Sequence, residues 1–252
     1  MAATHPAPPV PEPTEESLLD RFHTHFRVAT EVSGAELQDA FRIRHQVYCV
    51  ENPFENPADH PDGLERDEFD SHAIHGLLIH RLSERAMGTV RLILPVRHEL
   101  ERSFPIQLLC KHPHLKLLPL DRLAEVSRFS ISKQFRRRQC DTLYEGNDAR
   151  RERRGIAPLM SLGLLQSLVS MSAEHGITHW CATMELTLVR LLEAMSIRLT
   201  MLGPLVQSHG TRQPCYCEVG PMLERVKSEQ RPLWEVLTDG GTLQYRRRSL
   251  AA

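Results

Sequence analysis

Two stretches of this chain, "GTVRLIL" (88–94) and "LAEVSRFSIS" (123–132), have the apolar and β-branched content of buried strands, yet both carry charges at their centres. An ionised side chain inside a sheet is costly unless an opposite charge neutralises it, so Arg91, Glu125 and Arg128 require partners from elsewhere in the chain. Any fold this chain adopts has to carry those partners to the sheet.

The partners suggested by the sequence lie upstream. Residues 33–50 predict a helix, with Ser33 and Glu36 in capping-box spacing and Leu37, Phe41 and Tyr48 recurring on one stripe. Arg44 falls on that apolar stripe. Asp67 and Asp70 follow in "ERDEFD", at the end of a Pro-rich acidic loop. Arg44, Arg91 and Arg128 then balance Asp67, Asp70 and Glu125, three charges against three. A structural ion-pair network is one reading of this set. The other is a prepared polar site, favoured because buried pairs stabilise little relative to apolar replacements. Period two places Glu125 and Arg128 on opposite faces of a regular strand, so a common site requires a bulge between them.

The rest of the pattern sets the fold class. Strands are expected at 73–81 and 87–94, joined by the turn "SERA", and again at 124–131. A polar, basic insertion follows, "KQFRRRQCDTLYEGNDARRERR" (133–154). Then come a helix opened by Pro158 and closed by Gly176, the strand "ITHWCATM", the helix "LTLVRLLEAMS" and the strands "IRLTMLGP" and "QPCYCEV". This order predicts an α/β (α+β) layer fold built on a mostly antiparallel sheet. With no repeat and no linker, one domain is expected over 19–240. A disordered Pro-rich tail (1–18) and a C-terminal tail (241–252) flank it.

Composition removes several alternatives. With 31 basic and 32 acidic residues the net charge of -1 gives no global attraction to nucleic acid or anionic membrane. No apolar run is long enough to span a bilayer, and "MAATHPAPPVPEPTEE" lacks the regions of a signal peptide. Six cysteines in a chain of this length do not form a disulfide framework, and the 14 histidines match no zinc spacing. A reduced, cytoplasmic protein without a bound metal is expected.

Read in order, "FRIRHQVYCVE", "LERDEFD", "MGTVRLILP" and "EVSRFSIS" resemble the acyl-homoserine-lactone (autoinducer) synthases and the related N-acyl amino acid synthases. "RHQVYCVENPFE", "EVSRFSISKQFRRR", "HWCATMELTLVRLL" and "GPLVQSHGTRQPC" are similar to one relative of these, the PEP-CTERM/exosortase system-associated acyltransferases. The resemblance covers about residues 36–240. It implies a GCN5-related N-acetyltransferase-like fold, with a central, mostly antiparallel mixed sheet and helices on both faces. It also implies that Arg44, Asp67, Asp70, Arg91, Glu125 and Arg128 are the family's characteristic charged residues. A bulge and splayed strands are implied at the strand carrying Glu125, where the donor's pantetheine arm lies.

The family's acetyltransferases cradle pyrophosphate in a Gly-containing loop before a helix. "ERRGIAP" (152–158) approaches that form through Gly155 and Ala157, with Glu152 in place of its first residue. Lys133, Arg136, Arg137, Arg138 and Arg150, Arg151, Arg153, Arg154 flank the insertion. They are a solvated face or a docking surface for an acidic acyl carrier protein.

The expected reaction is N-acylation: a long-chain acyl group passes from an acyl-phosphopantetheine thioester to a small-molecule amine acceptor, an amino acid or a related molecule. Acyl carrier protein is favoured over acyl-CoA as the donor, and no permanently bound cofactor is expected. Glu125 is the candidate base, and backbone N–H groups of Phe129, Ser130 and Ile131 the oxyanion donors. Phe41, Tyr48 and Phe129 are read as acyl-channel or core walls. Two other classes stay open: a non-catalytic acyl-chain or carrier-binding module, and a nucleic-acid-binding regulator working through the arginine clusters.

Overall fold

A computed structural model describes residues 16–133 and 148–243, with the backbone alone over 148–157. Most of the Pro-rich tail, the arginines at 136–138, the side chains at 150–154 and the C-terminal tail from 244 lie outside the described residues. Helix α1 (Leu18–His25) is capped by Ser17, whose hydroxyl accepts from the Asp20 N–H, and leads into the edge strand β1 (Phe26–Ala29). Neither element was expected from the sequence. Helix α2 (Gly34–His45) starts at Ser33, but no side-chain cap forms there. It ends in a π-helical turn, Gln46–Glu51, rather than continuing as α-helix to residue 50.

Strands β2 (Ala73–His80) and β3 (Arg85–Ile93) form the expected hairpin. A short helix α3 (Pro105–Leu109) precedes β4 (Leu123–Ile131). Helix α4 (Asp148–His175) begins ten residues before the expected start, with Pro158 inside it, and stops where Gly176 takes φ +65°. After it come β5 (His179–Met184), α5 (Leu186–Ala194), β6 (Thr200–Met201), β7 (Val206–Gln207) and β8 (Thr211–Glu218). Helices α6 (Val219–Glu229) and α7 (Arg231–Leu237), also unexpected from the sequence, close the described chain. The strand expected over "IRLTMLGP" shrinks to the two residues of β6.

The sheet runs β1-β2-β3-β4-β5-β8-β6, with β7 paired to β8. Every pairing is antiparallel except β4 with β5. Alternation along the strands divides the core. Leu78, Val90, Leu92 and Val126 pack with Leu164, Leu165 and Leu168 of α4 on one face. Leu77 and Ile79 pack with Ala40 and Ile43 of α2 on the other. Helix α4 lies unusually close to β2 because Gly76 faces it: a Cβ there would sit 2.6 Å from the Ser167 Cβ. The α2 face of β2 and β3 also carries His75, Thr89 and Arg91, all buried. The buried arginine of β3 and the histidine beside it therefore lie on the α2 side of the sheet.

Two departures from regular pairing make room for a site. Strand β4 pairs with β5 only from Leu123 to Glu125, and beyond that point the two parallel strands part. Against β3, the register slips by one residue between Thr89↔Ser130 and Arg91↔Ser127. The extra residue falls at 128–129, where Arg128 adopts φ +49°. This bulge, with a non-glycine residue in the left-handed region, turns Arg128 onto the face that carries Ser127 and Arg91.

Candidate active site

The carboxylates of "ERDEFD" are positioned by a single 3-10 turn, Glu68–His72. Asp67 is its N-cap and accepts from the Phe69 N–H at 3.0 Å, while the Asp67 N–H donates to Asp70 Oδ2 at 2.8 Å. The capping box absent at Ser33 is found here, and it aims both carboxylates at the sheet.

Arg91 donates to Asp67 through Nη1 (2.5 Å) and Nη2 (2.9 Å), to Asp70 Oδ1 at 2.8 Å and to Ser127 Oγ at 2.9 Å. Arg44 holds Asp70 with both terminal nitrogens, at 2.7 and 3.0 Å, and Glu65 through Nε at 2.5 Å. Arg128 donates to Glu65 Oε1 at 2.8 Å and Asp67 Oδ2 at 3.1 Å, with its guanidinium 4.7 Å from the centre of the Tyr48 ring. These planar, forked contacts suit arginine and not lysine.

Glu65 is the member the sequence reading missed. Residues 64–67 run so that Glu65 is buried, Arg66 exposed and Asp67 half-buried. An alternation read through this segment would have paired Glu65 with Asp67. With Glu65 included, the three arginines are matched by Glu65, Asp67 and Asp70. Glu125 stands outside the network. Its Oε2 accepts from the Ile106 N–H at 2.8 Å, the second residue of α3.

The electrostatics follow from this division. Burial opposes the charge of Glu65, but hydrogen bonds from Arg128 and Arg44 outweigh it and take its pKa down to about 2. Burial likewise opposes ionisation of Asp70, and hydrogen bonds from His75 and Arg44 hold its carboxyl far below the usual range. His75 itself is lowered by burial, so it stands beside Asp70 as a neutral ring, with Nε2 3.4 Å from Oδ1. Glu125 goes the other way. Full burial pushes its carboxyl up to about 7, and the Ile106 N–H and the more distant Arg91 and Arg128 only partly offset that. Cys181, paired with Glu125 across β4–β5, is driven well up by burial and then by Glu125. It is a poor nucleophile, as are Cys215, driven far up by burial, and Cys217, pushed up to about 12.

A cavity of about 730 Å³ opens where β4 and β5 part. Its lining joins the two faces of the sheet. Asp67, Arg91, Glu125 and Arg128 line one end, and Leu165, Leu168, Leu188 and Leu192 the other. Phe129, Ser130 and Ile131 border the opening itself. From Val126 on, β4 has no strand beside it on the β5 side, so alternate backbone N–H groups face the gap. The Ser130 hydroxyl is buried without a partner among the described residues.

Arg44 and Asp70 do not reach the cavity wall; they lie behind Asp67 and Arg91 and hold them. Tyr48, read as an acyl-channel or core wall, is buried and lines the cavity at its polar end, against Arg128. Phe41 sits behind the site, against His75 and Arg44. Gly155 and Ala157 do not form a loop before a helix. They lie within α4, where backbone N–H groups are engaged by the helix itself, so the expected anion cradle is displaced from them.

Residues 43–145 match the model of a family described as an acetyltransferase (GNAT) domain. Among solved structures, the chain is similar to the CoA-dependent acyl-homoserine lactone synthase BjaI with SAM and isopentyl-CoA. The TM-score is 0.55 at 19% identity, over 85% of this chain and 88% of that one. TofI in a ternary complex with an inhibitor and MTA gives 0.54 at 15% identity, over 82% and 95%. The AHL synthase LasI gives 0.52 at 17%, over 77% and 89%. No curated protein matches the chain by sequence. The protein thus has the GNAT fold, in the form seen in acyl-homoserine lactone synthase structures. No described helix is long and apolar enough to cross a membrane.

Proposed function

We propose that the protein is an N-acyltransferase that moves a long acyl chain from a phosphopantetheine thioester to the amine of a small molecule. The observation that carries this reading is Glu125: an unneutralised carboxylate, buried on the wall of a cavity that crosses an opened sheet, and titrating near neutral pH. N-acylation needs a base that is ionised at the working pH and still able to take a proton from an ammonium group. The amine nitrogen, once deprotonated, attacks the thioester carbonyl. The C–S bond then breaks and the thiolate leaves, taking up a proton to become the free thiol. The β5-facing edge of β4 beyond Glu125 and the Ser130 hydroxyl border the place where the carbonyl oxygen gains charge. The acyl chain runs on among the leucines of α4 and α5. Arg44 and Asp70 act as positioning residues for Asp67 and Arg91. Acyl carrier protein is the preferred donor, through the basic 133–154 segment, in keeping with the resemblance to exosortase-associated acyltransferases.

Glu125→Gln keeps the shape and removes the base. It is expected to lower acyl transfer about 100-fold or more, and to abolish a limb of the pH–rate profile centred near pH 7. The assay is thiol release from a long-chain acyl thioester in the presence of amines. Unchanged turnover in the variant would return Glu125 to a structural role. It would then favour the non-catalytic acyl-binding module, whose cavity could tolerate the change.

A further inference from the structure

The polar end of the cavity has a second wall that the mechanism above does not use. The stretch "GPLVQSHGTRQPC" (203–215) folds into the β7–β8 hairpin, turning at Ser208, His209 and Gly210. His209 takes φ +50° and Gly210 φ +90° in that turn. Ser208, His209 and Arg212 line the cavity, packed against the π-helical turn of α2 and the loop after it. His209 Nε2 lies 2.6 Å from Glu55 Oε1, and Glu55 lies 3.7 Å from Arg128. The rings of Tyr48, Phe54 and His209 meet edge-on at 5.6–6.0 Å between centres. Hairpin and loop thus form one rigid patch contiguous with the arginine network.

Within that patch Arg212 is unlike the other cavity arginines. Arg91 and Arg128 are saturated by carboxylates. Arg212 pairs with no carboxylate among the described residues. Its Nε and Nη2 donate to the carbonyls of Ser208 and His209 at 3.0 Å, and its guanidinium lies over the Phe54 ring. Two backbone carbonyls and a ring hold the group in place without cancelling its charge. The nearby anion, Glu55, is engaged by His209 and Arg128 instead. A half-buried, fixed and uncompensated guanidinium on a cavity wall is an anion site, matched in geometry to a planar carboxylate.

We infer that Arg212 binds the carboxylate of the acceptor, so that the amine acylated here belongs to an amino acid or a similar amino-carboxylic acid. This deepens the proposed N-acyl transfer and rests on it only for the identity of the site. Arg44, Arg91 and Arg128 are unavailable for this task, because another anion would have to displace their own carboxylates. The rings of Tyr48, Phe54 and His209 form the wall against which the acceptor lies.

The test compares paired acceptors that differ only in the carboxylate: L-leucine with leucinamide, and L-phenylalanine with phenylalaninamide. Both are measured by thiol release and by calorimetric binding to the full chain. The wild type is expected to prefer the acids by about tenfold or more, the scale of a charge-assisted hydrogen bond. Arg212→Gln, whose amide can still donate to the turn carbonyls, is expected to bring that preference close to one. Arg212→Lys should retain part of it. A preference that survives in Arg212→Gln, or acids no better than amides in the wild type, overturns the assignment. Failure of the two claims is distinguishable. Arg212-dependent binding of the acids without thiol release leaves the inference standing and removes the acyl-transfer reading. Thiol release indifferent to the carboxylate does the reverse.

Discussion

Glu125 and Glu65 are the same kind of residue, buried to a similar degree, and they titrate at opposite ends of the carboxylate range because of their neighbours. Two arginines donate to Glu65, whereas Glu125 accepts from one backbone N–H. The consequences for stability differ in sign. The folded state raises Glu125 from 4.5 to about 7, so it holds a proton that the unfolded chain has lost. That contribution is fully present below pH 4.5 and is lost as pH rises to about 7, on the order of 3 kcal/mol. Glu65 is lowered to about 2, so its contribution is present above 4.5 and lost as pH falls toward 2. Burial lowers His75, His80 and His179, which strengthens the fold with rising pH in wild type and variant alike. Urea titrations at pH 5 and pH 8 should therefore show the wild type losing stability relative to Glu125→Gln at the higher pH. An unchanged difference between the two proteins would mean that Glu125 does not titrate in this interval.

At the scale of elements, the site depends on three irregularities: the 3-10 turn at 68–72, the π turn at 46–51 and the bulge at Arg128. Each re-aims one or two side chains that regular geometry would send elsewhere. The turn delivers Asp67 and Asp70, the π turn sets Tyr48 against Arg128, and the bulge brings Arg128 to the face of Arg91. Arg44 ties the first two together from α2. Its replacement by Met should leave Glu65 to Arg128 and Asp70 to Arg91 and His75, with one buried negative charge in excess, and cost about 3–5 kcal/mol in chemical denaturation. The exposed pair between Arg66 and Asp62 provides the contrast. Arg66→Ala should change stability by less than about 1 kcal/mol, although that pair lies in the same segment. If Arg44→Met proves as mild as Arg66→Ala, the network is not a load on the fold and its members are free to move with substrate.

Over the whole molecule, the described elements share one sheet, and helices α1, α4, α6 and α7 close a single core on one face of it. Limited proteolysis is expected to leave one resistant body from about residue 16 to 243. An early cut near residue 125 that yields two stable halves would contradict a single folding unit. The sequence alone determined the class of fold and most of the polar set. Periodicity marks α2, the central strands and the C-terminal stop of α4. The charges at 44, 91, 125 and 128 stand out because charge is rare in apolar surroundings, whereas Asp67 and Asp70 sit in an acidic loop and are singled out as the carboxylates those arginines need and by the family resemblance. Glu65 is hidden among four acids in six residues, where only the alternation with Asp67 marks it, and local pattern could not reveal α1 and β1, whose stability comes from α7, β2 and α4 rather than from their own propensity. It also mistook the start of α4, because a Gly-Ile-Ala-Pro stretch reads as a loop unless tertiary packing holds it in a helix. Which carboxylate lacks an arginine, and which arginine lacks a carboxylate, was decided only by the tertiary structure. Those are properties of distances across the sheet, and a one-dimensional charge count treats every member of the set alike.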